Sequence, residues 1–597
     1  QTMADPAPVD EEAKAKLKAE REARKKAQAA EKAAKKAERG QRRQPQGAAA
    51  ESDAPMVEYA GSTEPEQLFG DYVLIQSREP TGRKFMMIGE LGAAHVGQTV
   101  WVRARVHNSR GKGNSCFLVL RGASRTVQAT CFKSETMTKE FLKYISAIPT
   151  ESVVDIQGEV AAAEVRGCTQ GDVELICKRC YLVSKSLPNL PLLIDDAGRS
   201  EAEIERSEKE TPEKPFVRVH QDTRLDFRVI DLRVPAQNAI MRLQSAVCRL
   251  WRQACYENNF VEIHTPKLIG GASEGGASVF QLKYFEQDAC LAQSPQLYKQ
   301  MAIMSDFHRV FEIGPVFRAE MSNTHRHLCE FTGLDMEMEI YEHYFEALDM
   351  LDRILSTVFA GLTNEHQAEI EVISQQYPVD PFKARPPGES NLKLTHPEAI
   401  AMLREAGEEM EDMDDFSTEQ EKKLGRLVRA KYDTDFYSIH RFPDDCRPFY
   451  TMPCPDDPNY TNSYDIYMRG EEICSGAQRI HDVPKLTENA IRKGIPVHTI
   501  KSYIDSFSCK PPTRQARTHT QHTHTHTQTT HNAHTLLSPH STLSLQALNV
   551  SLTQCTDGAF PHGGGGVGLE RVVMLFLGLN NIRKSSMFPR DPRRLMP

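Results

Sequence analysis

Apolar and polar residues alternate in short runs over 99–106, 116–120, 126–130 and 152–160, each closed by Gly or Ser turns. A period of two in β-rich sequence predicts half-buried strands, and five or so of them in a little over 100 residues predict a small barrel within 66–185. From 224 onward the pattern changes to long amphipathic helical stretches alternating with strands, which predicts a large second domain over 223–597. Between the two, 186–222 carries Pro, Glu and Lys with little apolar content and reads as a hinge. Two folded domains also suit a chain of 597 residues, more than one hydrophobic core usually supports.

Two stretches carry no such pattern. Residues 14–39 are Ala, Lys, Glu and Arg, strong helix formers with no face to bury, and 44–65 is a Gly, Ala, Ser and Pro linker. A basic helical extension without fixed structure is therefore expected over 1–65. Thirteen Lys or Arg against six Glu in 11–43 make a local +7 inside a chain of formal charge −8. Such a tail is either a solvated segment or a salt-sensitive attractor of RNA phosphates. The second stretch, 510–557, contains Thr518-His519-Thr520-Gln521-His522-Thr523-His524-Thr525-His526-Thr527. Alternating Thr and His is what a CA dinucleotide repeat encodes, so this stretch reads as a disordered insert of translated non-coding sequence, with a His-rich metal-binding tract as the alternative.

Composition narrows the class. With 40% hydrophobic and 26% charged residues and no window near 18 uninterrupted apolar positions, a cytoplasmic protein with no membrane partner is expected. The 14 Cys are scattered, and Cys177 with Cys180 is the one pair at metal-like spacing. No second pair completes a zinc site around them, so reduced thiols are expected.

The chemistry begins at Phe317-Arg318-Ala319-Glu320, followed by His325-Arg326-His327 and Glu330-Phe331. A strand ending in Arg and an acid, a His/Arg-rich turn and an aromatic on the returning strand form a hairpin suited to a nucleoside triphosphate. Arg318 can clamp a phosphate, Arg326 or His327 can reach the terminal phosphates, and Phe331 can stack on a base. Alone, this segment would equally be a surface salt bridge. Far downstream, Gly563-Gly564-Gly565-Gly566-Val567-Gly568-Leu569-Glu570-Arg571 runs into an apolar helical stretch. Its glycines allow close backbone approach and Arg571 adds a cation at a helix start, although a Gly-rich turn before a buried helix would look the same. No Gly-Lys-Ser/Thr follows, so it is not a Walker loop.

These two segments resemble motifs 2 and 3 of class II aminoacyl-tRNA synthetases, and Phe260-Val261-Glu262-Ile263-His264-Thr265-Pro266 after a long helix resembles motif 1. The resemblance runs from about Gly97 to the end of the chain, the insert excepted. It implies an α+β protein: an N-terminal OB-fold β-barrel, then a class II synthetase catalytic domain with an antiparallel sheet flanked by helices. It also implies a homodimer joined through motif 1, the substrate ATP and the cofactor Mg²⁺. Ser273-Glu274-Gly275-Gly276, Gln293-Ser294-Pro295-Gln296-Leu297-Tyr298-Lys299-Gln300 and Gly470-Glu471-Glu472-Ile473-Cys474-Ser475-Gly476-Ala477-Gln478-Arg479 resemble signatures of the aspartate-specific members of subclass b, in their eukaryotic cytosolic form.

That likeness implies that Glu274 and Asp335 hold the ammonium of L-aspartate with Ser294 and Gln296 assisting, and that Ser475 belongs to the same pocket. Lys299 and Arg479 would take the β-carboxylate, since two cations in one pocket would be left unpaired by a neutral amide. Arg318, Glu320 and Arg571 are the implied catalytic residues, with Arg326, His327, Phe331, Glu472 and Gly568 completing the ATP site and Phe331 and Arg571 sandwiching the adenine. Glu472 and Asp465 are the implied Mg²⁺ ligands, Glu472 being favoured. In the barrel, Arg110, Phe117, Gln128 and Glu174 fall where the family reads the anticodon of tRNA(Asp), although Phe117 would equally be a core aromatic. An asparaginyl enzyme, a catalytically inactive RNA-binding paralogue and membership in a larger multi-synthetase assembly stay open at this stage.

Overall fold

A computed structural model describes residues 54–58, 65–270, 279–508 and 558–596. The expected basic extension lies almost wholly outside these residues, and Glu274 and the 510–557 tract lie outside them entirely. The chain divides into two units, Gln1–Asn189 and Leu190–Pro597. Among the described residues no helix is long and apolar enough to cross a membrane.

The first unit is a barrel of five strands, β1 (Thr99–Lys112), β2 (Ser115–Gly122), β3 (Arg125–Phe132), β4 (Val153–Ala162) and β5 (Val173–Ser184). β1 pairs antiparallel with both β2 and β4, β3 pairs with β2 and with β5, and β4–β5 pairing closes the ring. The period-two pattern sets its inside: Cys116, Leu118 and Leu120 are buried, while Phe117 and Val119 between them face outward. Helix α1 (Lys139–Ala147), capped by Thr138, bridges β3 and β4. Cys116, Cys131, Cys177 and Cys180, scattered in sequence, are all buried in this core as free thiols. The hydrogen bond to Cys177 and burial together push the Cys131 thiol far up, which suits inert, reduced packing residues.

The second unit is built on an eight-stranded sheet with helices. Its strands are β6 (Val261–Glu262), β7 (Arg309–Phe317), β8 (Glu330–Glu339), β9 (Leu392–Thr395), β10 (Phe436–His440), β11 (Ser463–Met468), β12 (Glu471–Gln478) and β13 (His562–Gly568). They run in the order β9-β10-β11-β12-β13-β8-β7-β6, antiparallel except for the two edge pairs. Helix α2 (Pro235–Glu257) buries Ile240, Leu243, Val247, Leu250, Trp251 and Ala254, a stripe at helical spacing, in the core shared with the sheet. Helix α4 (Phe345–Glu365) contributes Leu348, Leu351, Ile354, Leu355 and Val358 to the same core; α3 (Gln296–Ile303) precedes β7.

Two expectations are corrected here. The 186–222 segment is not a bare hinge, because Ile194–Gly198 and Glu201–Glu210 are helical and belong to the second unit. A capping box explains the second helix: Glu203 N donates to Ser200 Oγ at 3.3 Å and Ser200 N to Glu203 Oε2 at 2.8 Å. The glycine run is not the Gly-rich turn that the sequence left as an alternative but strand β13, in the interior of the sheet. A Cβ on Gly564 would come 2.2 Å from the Met336 carbonyl oxygen and 2.5 Å from Glu337 Oε2, and one on Gly566 2.8 Å from Asp335 Oδ1. The glycines make room for carboxylates of the neighbouring strand β8 to lie across them.

Candidate active site

A cavity of about 400 Å³ in the second unit is surrounded by the hairpin between β7 and β8, strands β12 and β13, the start of α3, the start of helix α6 (Leu569–Phe576) and the segment 446–451. Strand register explains how distant segments meet there. Asp335 on β8 lies opposite Gly566 on β13, which lies opposite Ser475 on β12. Asp335, Ser475, Ser294, Gln296 and Arg479 line one part of the wall, and Arg318, Glu320, Arg326, His327, Phe331, Glu472, Gly568 and Arg571 line the rest. Every described residue expected to bind amino acid or ATP reaches this wall except Lys299.

Lys299 is buried behind the wall at 2% exposure, and its Nζ lies 3.1 Å from Asp335 Oδ1 and 3.3 Å from Glu337 Oε2. Arg479 Nε donates to Glu337 Oε1 at 2.8 Å, while its Nη2 donates to the Gly564 carbonyl at 2.8 Å and to Gln296 Oε1 at 3.1 Å. The pocket therefore does not hold two uncompensated cations. Both converge on Glu337, fully buried on β8, a residue the sequence reading did not single out. Burial alone would raise the Glu337 carboxyl, yet Arg479 and Lys299 outweigh it and hold the group below its ordinary value, so it stays ionised. The alternation Asp335-x-Glu337 on a buried strand was its only trace in the sequence.

At the other end, Arg318 follows β7 directly, with its guanidinium 5.5 Å from the centre of the Phe331 ring and its backbone N–H bonded to the Cys329 carbonyl at 2.9 Å. Arg571 Nη1 donates to the Glu472 carbonyl at 2.7 Å, which fixes it on the same wall. Arg326 forms an ion pair with Glu421 of helix α5 (Thr418–Tyr432), a buried carboxylate in a stretch that reads as solvated. Burial pushes the Glu421 carboxyl up to about 7 despite Arg326. His327 hydrogen-bonds Ser322 Oγ at 3.2 Å as well as the Thr324 hydroxyl, and burial followed by the charge of Arg571 lowers its pKa, so the imidazole is neutral.

Asp465, expected as a metal ligand, is paired with Arg447 in this structure. Both of its oxygens accept from Arg447, at 2.9 and 2.7 Å, and it does not line the cavity. Burial raises its carboxyl to about 6, with Arg447 opposing. Arg447, also missed in the sequence, lines the wall and donates to Ser475 Oγ at 2.7 Å. Glu472 keeps its expected position. Among the described residues no cluster of three or more His, Cys, Asp or Glu could cage a metal ion, and a single carboxylate suits an ion carried chiefly by phosphates.

In the first unit, Phe117 lies on the outer surface of the barrel rather than in its core. Arg110 is its cross-strand partner, Val119 beside it pairs with Gln128, and Gln128 Nε2 donates to Glu174 Oε2 at 2.9 Å. All four expected residues thus share one outward face, joined by Phe132, 56% exposed and edge-on to Phe117.

Comparison with known proteins gives a consistent picture. Residues 220–514 and 540–592 match the family model for class II tRNA synthetases (D, K and N), and 100–183 match that of the OB-fold nucleic acid binding domain. The break between 514 and 540 falls in the His/Thr-rich tract. The chain is 48% identical to the cytoplasmic aspartate–tRNA ligase of Homo sapiens over 89% of its own length and 95% of that protein's. Among solved structures, the aspartyl tRNA synthetase of Entamoeba histolytica matches at 42% identity and TM-score 0.75, over 92% of this chain and 100% of that one. An asparaginyl-tRNA synthetase of Pyrococcus horikoshii, at 24% identity and TM-score 0.66 over 86% and 99% of the two chains, shares the fold.

Proposed function

This chain belongs to the class II tRNA synthetases of the aspartate, lysine and asparagine group and is an aspartate–tRNA ligase, and from that premise we propose how its own residues carry the activity. The observation that carries the proposal is the buried set of Lys299, Arg479, Glu337 and Asp335. As it stands this set has two positive and two negative charges. Glu337 is sealed away from the cavity, but Asp335 reaches it and takes the substrate ammonium. Once Asp335 shares its charge with that ammonium, Lys299 and Arg479 carry an excess that a β-carboxylate neutralises and an amide does not. Selection of L-aspartate over asparagine follows from that imbalance.

Arg318, Phe331 and Arg571 hold ATP at the other end, with Phe331 and Arg571 on the two faces of the adenine and Arg318 on the α-phosphate. An oxygen of the aspartate α-carboxylate attacks the α-phosphorus, a new P–O bond forms, and the bond to the bridging oxygen breaks as pyrophosphate leaves with its electron pair. No protein nucleophile is needed, so positioning and charge stabilisation provide the rate. Mg²⁺, when bound, would neutralise phosphate charge, and Glu472, which lines the cavity, would hold it. A hydroxyl at the 3′ end of tRNA(Asp) then attacks the adenylate carbonyl and AMP leaves. The outward face with Arg110, Phe117, Gln128 and Glu174 reads the anticodon, Phe117 by stacking. Exposed Tyr256, Val261 and Leu268 along motif 1 suit a homodimer interface. The relatives' cytoplasmic naming supports the same location for this chain.

The test is ATP–pyrophosphate exchange with Asp, Asn and Lys offered separately, followed by charging of tRNA(Asp). Exchange with Asp alone is expected. Exchange with Asn at a comparable rate would overturn the charge-excess account, and its absence with all three would overturn the catalytic assignment of the cavity.

A further inference from the structure

The hairpin that carries Arg318, Arg326 and His327 is bonded along its length to a segment some 250 residues later in the chain. Ile582 N donates to the His325 carbonyl at 2.8 Å, and Cys329 N donates to the Arg590 carbonyl at 2.8 Å. Between them lies Arg583, buried at 5% exposure, whose three nitrogens each take a different partner. Its Nη1 donates to the Thr324 carbonyl at 2.9 Å, its Nη2 to Asn323 Oδ1 at 2.7 Å and its Nε to Asp591 Oδ2 at 2.7 Å. Asp591 in turn accepts from Arg593 N at 2.8 Å, so the segment is folded back on itself. From behind, Arg228 Nε and Nη2 donate to the carbonyls of Met587 and Ser586 at 2.9 and 2.6 Å. Ile582 itself lines the cavity.

We propose that residues 581–591 form a brace for the ATP-binding hairpin and that Arg583 is its positioning residue, setting where Arg326 and His327 stand relative to the phosphates. Resting on the reading of that hairpin as the ATP site, the proposal assigns a role to a residue with no contact to substrate. The geometry requires an arginine, because a planar fork with donors in three directions can tie a carbonyl and an amide of the loop to a carboxylate of the brace at once. A lysine keeps the charge beside Asp591 but loses the fork. The amino-acid end of the cavity, formed on β8, β12, β13 and α3, does not use these bonds.

The experiment is ATP–pyrophosphate exchange on the full chain with Mg²⁺, titrating ATP and aspartate separately, for Arg583→Lys and Asn323→Ala. Asn323 is exposed, so its truncation leaves the buried Arg583–Asp591 pair intact and guards against a variant that simply unfolds. Arg583→Lys is expected to raise the ATP KM about tenfold and Asn323→Ala about threefold, with the aspartate KM and the melting temperature of Asn323→Ala unchanged. An unchanged ATP KM in both variants, or equal rises in both KM values, would overturn the brace. Arg326→Ala serves as the control for the underlying reading: if it raises the ATP KM while Arg583→Lys and Asn323→Ala do not, the brace alone fails; if it too has no effect, the hairpin is not the ATP site.

Discussion

At the end of the cavity proposed for aspartate the charges are buried and mutually matched before any substrate arrives, whereas at the end proposed for ATP Arg326, on the hairpin, is held by a carboxylate that burial makes weakly acidic and Arg571, at the start of α6, by a backbone carbonyl. Arg479 just after β12 and Lys299 on helix α3 meet Glu337 on β8; Arg326 of the hairpin meets Glu421 on helix α5. The contrast follows what each ligand must supply. Telling a carboxylate from an amide requires a fixed charge count in a dry place, since an unmatched buried charge is the strongest penalty a protein can impose. Gripping a triphosphate requires cations that can be drawn away from their resting partners, because the ligand brings several negative charges of its own.

Removing the hidden carboxylate breaks the first end most severely. Glu337→Gln leaves Arg479 and Lys299 in excess, and we expect unfolding stability to fall by about 3–5 kcal/mol and aspartate-dependent exchange to drop at least about a thousandfold, read by urea denaturation and exchange kinetics. A variant with wild-type stability would show that the two cations do not depend on Glu337. Arg479→Met sharpens the comparison at smaller cost: kcat/KM for aspartate should fall about a hundredfold, the preference over asparagine should narrow, and the ATP KM should stay within about twofold. An ATP KM that moves with the aspartate value would mean that the two ends are not separate.

The mildest perturbation lies at the ATP end. With Glu421 raised to about 7 from an ordinary value of 4.5, the folded state holds its proton more tightly than the unfolded chain. Its stabilising contribution is complete below about pH 4.5 and is lost as pH rises through about 7, by at most about 3 kcal/mol. Glu421→Gln should remove that slope, so the wild-type-minus-variant difference in melting temperature should decline between pH 5 and 8. The ATP KM should fall by about threefold as Arg326 loses its competing anion. A flat difference, or a weaker grip on ATP, would mean that Glu421 supports the bound state instead.

These contrasts also mark what the sequence could and could not disclose. Residues that line the cavity were legible because chemistry restricts them: an Arg after a strand with a His/Arg turn, or a Ser-Pro-Gln-Leu-Tyr-Lys helix start, has few other uses in combination. Their countercharges were not. Glu337 looks like any acidic position in an alternating strand, and Glu421 sits in a Lys- and Glu-rich helix whose neighbours are exposed, so only tertiary packing shows that either is buried. Asp465 was expected at a metal by family resemblance, and no sequence pattern places Arg447, 18 residues earlier, across from it. The barrel was read from its period of two, and the same rule settled Phe117 once the register showed its neighbours Cys116 and Leu118 pointing inward. The glycine run was read as room for close backbone approach, but the sequence could not say what fills that room; in the fold it belongs to Asp335 and Glu337.

The position of that glycine strand has a bearing on how the molecule is made. Among the described residues β13 is the last strand of this sheet in sequence, yet it is the seam that joins β12 to β8. Without it the sheet would be two separate halves, each with an open edge and only part of the cavity wall. A ribosome that stops short of it releases a chain with no activating site and two exposed strand edges, which marks the product for aggregation or disposal. Closure of the sheet and completion of the cavity wall are thereby the same event.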